Sequence, residues 1–129
     1  MGVVEMKKLL ILLIAVFLLS ACGNNPEVNE NINKEIAKES EEIVLSIEEG
    51  YSGTKEIDND VFFKYTDDYF MDEEKFNSFN GYEKGLVAKT SIMTVNYMKG
   101  RYATEEELKE NVDEFYDILE NGDETFTTN

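Results

Sequence analysis

Histidine and tryptophan are absent from this chain, and cysteine and proline occur once each. Without histidine, the usual general base at neutral pH is missing. One cysteine, Cys22, permits neither an internal disulfide nor a cluster of thiolate ligands. The serines at 40, 46, 52, 78 and 91 stand in no Gly-x-Ser-x-Gly context, and no glycine-rich phosphate loop occurs. Basic residues are scarce: 12 Lys and Arg face 28 Asp and Glu, a net charge of −16. A chain of that sign repels phosphate backbones, which excludes nucleic acid as a partner. The expectation is a protein that is not an enzyme and carries no cofactor.

What is present begins with Lys7-Lys8, followed by the unbroken apolar run Leu9 to Leu19. Eleven apolar residues are too few to cross a bilayer as a helix, which takes about 20. They suit the core of a signal peptide, about 7–15 residues long, behind a positive n-region. Met6-Lys7-Lys8 makes a more natural start for such a leader than Met1. The run closes on Ser20 and Ala21 directly before Cys22. Leu19-Ser20-Ala21-Cys22 resembles the lipobox of bacterial lipoproteins. That resemblance covers only these first residues. It implies cleavage between Ala21 and Cys22 and lipid on the Cys22 sulfur. The protein would then sit on the outer face of the cytoplasmic membrane, in the cell envelope, with the membrane as its first partner. Two acyl chains hold a protein stably where one holds it marginally.

A leader of residues 1–21 takes Lys7, Lys8 and Glu5 with it, leaving 10 basic and 27 acidic residues on 108. That is one domain with a modest core. The acidic excess fits a basic protein partner, divalent cations, or solubility alone. Asp58-Asn59-Asp60 and Asp67-Asp68 offer oxygen ligands. Their spacing is nevertheless not that of a calcium loop, since Phe63 stands where the glycine belongs and Tyr69 where the closing Glu belongs. No metal site is assigned.

Periodicity predicts an all-α fold, a small three- to four-helix bundle over residues 28–122. It stands behind a lipidated tether at 22–27 and ahead of a flexible tail at 123–129. Asn25-Pro26 fits a helix start, with Val28, Ile32, Ile36, Ile43 and Ile47 on one face and Gly50 as the end. Residues 57–70 are strand-like by propensity, but Phe62, Tyr65 and Tyr69 recur at helical spacing, which favours helix with Asp58 or Asp60 as cap. Asp72-Glu73-Glu74 opens a short helix, and Asn80-Gly81 reads as a turn. Tyr82 to Lys99 is the broad apolar element expected at the centre, with Leu86, Met93 and Tyr97 on one face, widened by Val87, Ile92, Val95 and Met98. Its Gly85 and Ala88 allow close approach of a neighbour. Thr104 to Glu107 is a capping box ahead of a helix that buries Leu108, Val112, Phe115, Tyr116 and Leu119 and ends at Gly122.

The functional expectation is a membrane-anchored interaction module that docks a membrane or envelope protein. The alternative is an extracytoplasmic binder of a small ligand or divalent cation. Fifteen Phe and Tyr residues serve either a core or an interface. Joint exposure of Tyr65, Tyr69 and Phe70 would favour the interface.

Overall fold

The computed structural model describes residues 27–127, which are helical with no strand among them. The leader, Cys22 and the Asn25-Pro26 helix start lie outside the described residues. In chain order the elements are α1 (Lys34–Ser52), α2 (Asp60–Thr66), a π-helical turn (Asp67–Met71), α3 (Glu73–Ser78), α4 (Gly81–Met98), α5 (Glu105–Asn121) and α6 (Glu124–Thr127). The fold is a small all-α bundle. Helices α1, α4 and α5 are its long members, and α2, the π turn and α3 form a bent arm along α1 and α4.

Helix α1 starts later than its apolar spacing suggests. Asn33 is the cap, its side chain accepting from the amides of Glu35 and Ile36. The preceding residues put their polar groups elsewhere. The Asn29 amide donates to the Leu119 carbonyl at 2.9 Å and its side chain to that of Glu120 at 3.0 Å. Asn80 donates to the Asn31 carbonyl at 2.6 Å, and the Asn33 amide donates to Glu83 at 2.9 Å. Asparagine side chains and the backbone around them favour such local and cross-chain bonds over helix. Ile32 is still buried, but Val28 is exposed. At the other end α1 runs past Gly50 to Gly53, whose φ of 73° is the left-handed position that favours glycine. Gly50 has another role, since a Cβ there would meet the Tyr97 hydroxyl.

The stretch at 57–71 is helical from Asp60 to Met71, as its 3–4 spacing favours, behind a non-helical lead at 57–59. Phe62 and Tyr65 are buried and Tyr69 is half-buried. The helix widens into the π turn at Asp67 and stops at Asp72. There the backbone turns extended, and the Asp72 side chain caps α3 through the Lys75 amide at 3.1 Å. The cap of α2 differs in detail from the expectation. Asn59 holds the cap position without a side-chain bond, while Asp58 accepts from the Asp60 amide at 3.0 Å.

Asn80-Gly81 is a helix start and not a turn. Asn80 caps α4 in a complete capping box: its side chain accepts from the Glu83 amide at 2.9 Å and its own amide donates to Glu83 at 3.2 Å. At α5 the expected box is displaced by one residue. Thr104 accepts from the Glu107 amide at 3.2 Å, but Glu107 reaches back to the Ala103 amide.

Helix α4 is the centre of the bundle, packed against α1, α2, the π turn, α5 and α6. Leu86, Val87 and Met93 are fully buried, whereas Ile92 is 52 % exposed and faces outward. Thr90 and Thr94 are also buried. Their hydroxyls donate to the carbonyls of Leu86 and Thr90, so the polar groups are satisfied within the helix. Leu108, Val112, Phe115 and Leu119 of α5 complete the core, with Tyr116 half-buried at its edge.

Residues 124–127, expected in the flexible tail, form α6 instead. Phe126 packs against Gly81 and Gly85, and its ring meets that of Phe76 at 6.5 Å. The close approach that Gly85 permits is therefore used by the C-terminal segment.

Candidate functional site

The aromatic residues do not form one exposed surface. Tyr65 is buried at 4 % exposure, Tyr69 is half-buried, and only Phe70 is exposed, at 36 %. The rings of Tyr65, Tyr69, Phe79, Phe76 and Phe126 follow one another at centroid separations of 5.1 to 6.5 Å, mostly edge to face. Such contacts join the arm and the C-terminal segment to the core. The core reading of the aromatics holds for Tyr65.

The candidate cation residues act in local structure. Asp58 stabilises the turn before α2, while Asp67 and Asp68 lie exposed on the π turn that continues α2. Among the described residues no group of three or more acidic side chains is placed to hold a metal ion.

The largest concavity among those found lies between the C-terminal half of α1 and the N-terminal half of α5. It is an open groove of about 820 Å³. Leu45, Tyr51, Leu108 and Val112 give it an apolar floor, and Glu48, Glu49, Glu105 and Glu106 stand on its rim with Lys109. A second hollow, of about 380 Å³, continues past Leu45 toward the start of α1. There Lys34 and Lys38 balance Glu41 and Glu42, and Val28 closes the end. Leu45 lines both hollows and is 46 % exposed.

The sequence pattern puts Leu45 there. Positions 36, 43 and 47 of α1 face α4, so Glu41, Leu45 and Glu48 share an adjacent face at spacings of four and three. Burial pushes the carboxyls of Glu41 and Glu48 above the usual carboxylate range. Tyr116 of α5 lies near both. Its hydroxyl is pushed up, first by burial and then by the charges of Glu41 and Glu48. Carboxylates partly withdrawn from water favour a positive group brought to the groove. Reading the sequence for motifs misses this groove, because it is made by two helices that are far apart in the chain.

A smaller hollow of about 280 Å³ between α1 and the arm contains Glu39, Glu42, Asp68 and Lys64 around Val61 and Tyr69. It is already crossed by the Tyr69 hydroxyl, which donates to Glu39, and Lys75 stands 4.8 Å from the centre of the Tyr69 ring.

No helix among the described residues is long and apolar enough to cross a membrane. Comparison with protein-family models, curated proteins and solved structures finds no match to this chain.

Proposed function

We propose that this chain is a lipid-anchored extracytoplasmic protein whose helical domain is a non-enzymatic interaction module. Its partner is a membrane or envelope protein with a basic contact surface. The observation that carries the anchor is the order Lys7-Lys8, Leu9 to Leu19, Ser20-Ala21, Cys22. Attachment at Cys22 raises the effective concentration of the domain near other proteins of the same membrane. The long acidic groove between α1 and α5 supports the choice of a basic partner, since complementary potentials speed encounter and suppress wrong partners.

The test is incorporation of a labelled fatty acid into the wild type and into Cys22→Ala, followed by cross-linking in intact cells. Label on the wild type alone, with one membrane partner captured only when Cys22 is present, is the expected result. Equal capture from the unlipidated variant would mean that the lipid is an address and not part of the mechanism. No label on the wild type would remove the anchor from the reading.

A further inference from the structure

The two hollows that share Leu45 follow α1 over most of its length. Nineteen residues at about 1.5 Å each make that roughly 28 Å. In the larger hollow a guest meets α1 on one side and α5 on the other, and in the smaller one it meets α1 and Val28. Among the described residues no strand edge is on offer, so an extended segment would find no backbone partners over the apolar floor. A guest that satisfies its own amides is a helix, and an apolar floor with polar rims suits an amphipathic one. Charge then orients it. The end of the groove near the start of α1 is balanced, while the far end carries Glu48, Glu49, Glu105 and Glu106 against Lys109 and Lys55, the latter 4.0 Å from Glu49.

The geometry points to a basic amphipathic helix of a membrane protein as the occupant of the α1–α5 groove, its basic end against Glu48, Glu49 and Glu106. This inference rests on the interaction-module reading and gives it a site and a partner chemistry. A membrane protein is the source because of where the described chain begins. Asn29 is bonded to the end of α5, and it follows Cys22 by seven positions, at most about 25 Å of chain. Lipid at Cys22 therefore keeps the balanced end of the groove close to the bilayer and leaves the acidic end open to a segment standing out from the same membrane.

The test uses the full-length protein in its native membrane, with a photoreactive residue at Leu45 and, as control, at the outward-facing Ile92. Capture from Leu45 and not from Ile92 is expected, and the captured peptide should carry lysine or arginine on one helical face and apolar residues on the other. The triple variant Glu48→Gln, Glu49→Gln, Glu106→Gln should lower capture about tenfold, as three rim ion pairs would. Equal neutralisation on the arm, by Asp67→Asn, Glu73→Gln and Glu74→Gln, should leave it unchanged. Equal capture from both positions, an acidic or extended captured segment, or indifference to the triple variant overturns the groove. In each of those cases the interaction-module reading stands if Cys22→Ala still abolishes capture. A free cationic peptide at Leu45 overturns the membrane source. No capture from Leu45 with Cys22 lipidated overturns the inference alone, and no lipid on Cys22 overturns the reading beneath it.

Discussion

The hydroxyls of Ser40 and Tyr65 meet at 2.6 Å inside the bundle, where α2 crosses α1. Both residues are buried, Ser40 completely. An apolar pair would seat the arm at any depth that filled the space, whereas a buried hydroxyl pair is satisfied at one register only. Tyr65→Phe should therefore cost about 1–2 kcal/mol, the net value of a buried hydrogen bond with its remaining partner unsatisfied. Ser40→Ala should cost less, because the Tyr65 hydroxyl then still has the Thr90 hydroxyl as a partner. Denaturant melts of the two single variants and the double give the coupling directly. An additive double would mean that the two hydroxyls act independently.

The same burial makes the fold sensitive to alkali. Desolvation pushes the Tyr65 hydroxyl up to about 12, above its ordinary value of 10. The unfolded chain thus begins to lose this proton near pH 10 while the folded chain keeps it. Stability is full below pH 10 and falls as the pH rises toward about 12. Tyr65→Phe should flatten that decline. Absorbance of tyrosinate near 295 nm (roughly the usual band), followed together with helicity, checks whether ionisation and unfolding coincide.

Much of this fold is legible in the sequence because period and capping agree. Leu108, Val112, Phe115 and Leu119 are buried as their spacing requires, and Phe62 and Tyr65 show why 3–4 recurrence outweighs the strand propensity of Val61-Phe62-Phe63. What is not legible depends on contacts across the chain. The late start of α1 follows from Asn29, Asn31 and Asn33 bonding to α4 and α5, partners 49 or more residues away that no local pattern names. The order of the C-terminal segment depends on the space over Gly81 and Gly85. The groove is the extreme case: Leu45 reads only as an apolar residue off the main stripe until α5 is set beside it.

The two capped helix starts should differ in strength. Thr104→Ala removes one acceptor for the Glu107 amide and should cost about 1 kcal/mol. Asn80→Ala removes the equivalent bond and also the one from its side chain to the Asn31 carbonyl, which ties down the segment before α1. A cost of about 2 kcal/mol is expected. Asn80→Asp discriminates between the two contributions, since it keeps the cap and loses the donor. If Asp is as costly as Ala in denaturant melts, the cap is not what holds this junction.

Gly85→Ala should release α6 without unfolding the bundle. A Cβ at Gly85 would lie 2.7 Å from the Asp123 side chain, and one at Gly81 would meet the Phe126 carbonyl. The clash falls on a four-residue terminal helix, which gives way more easily than α4. Alanine also favours α4 over glycine by roughly 1 kcal/mol. The global melt should thus shift little, while the amides of 126 and 127 lose protection from exchange. Retained protection would show that the segment adjusts in place.

The carboxylates of the two hollows set a pH dependence of the same sense as that of the tyrosine, in an acid window instead of an alkaline one. Burial holds Glu41 and Glu48 above their ordinary value of 4.5, so each is more easily protonated in the folded chain than in the unfolded one. Their penalty is complete at pH 7 and is relieved as the pH falls through their raised values toward 4.5. The protein should therefore melt at a higher temperature near pH 5 than at pH 7. Relief of self-repulsion among 28 acidic residues gives the same sign, so the double variant Glu41→Gln, Glu48→Gln has to separate the two. If the groove pair is responsible, the variant is more stable than the wild type at pH 7 and the two converge near pH 4.5. An unchanged slope would assign the effect to the general charge. Added salt gives a second check, because it screens the dispersed charges and leaves a desolvation penalty largely in place.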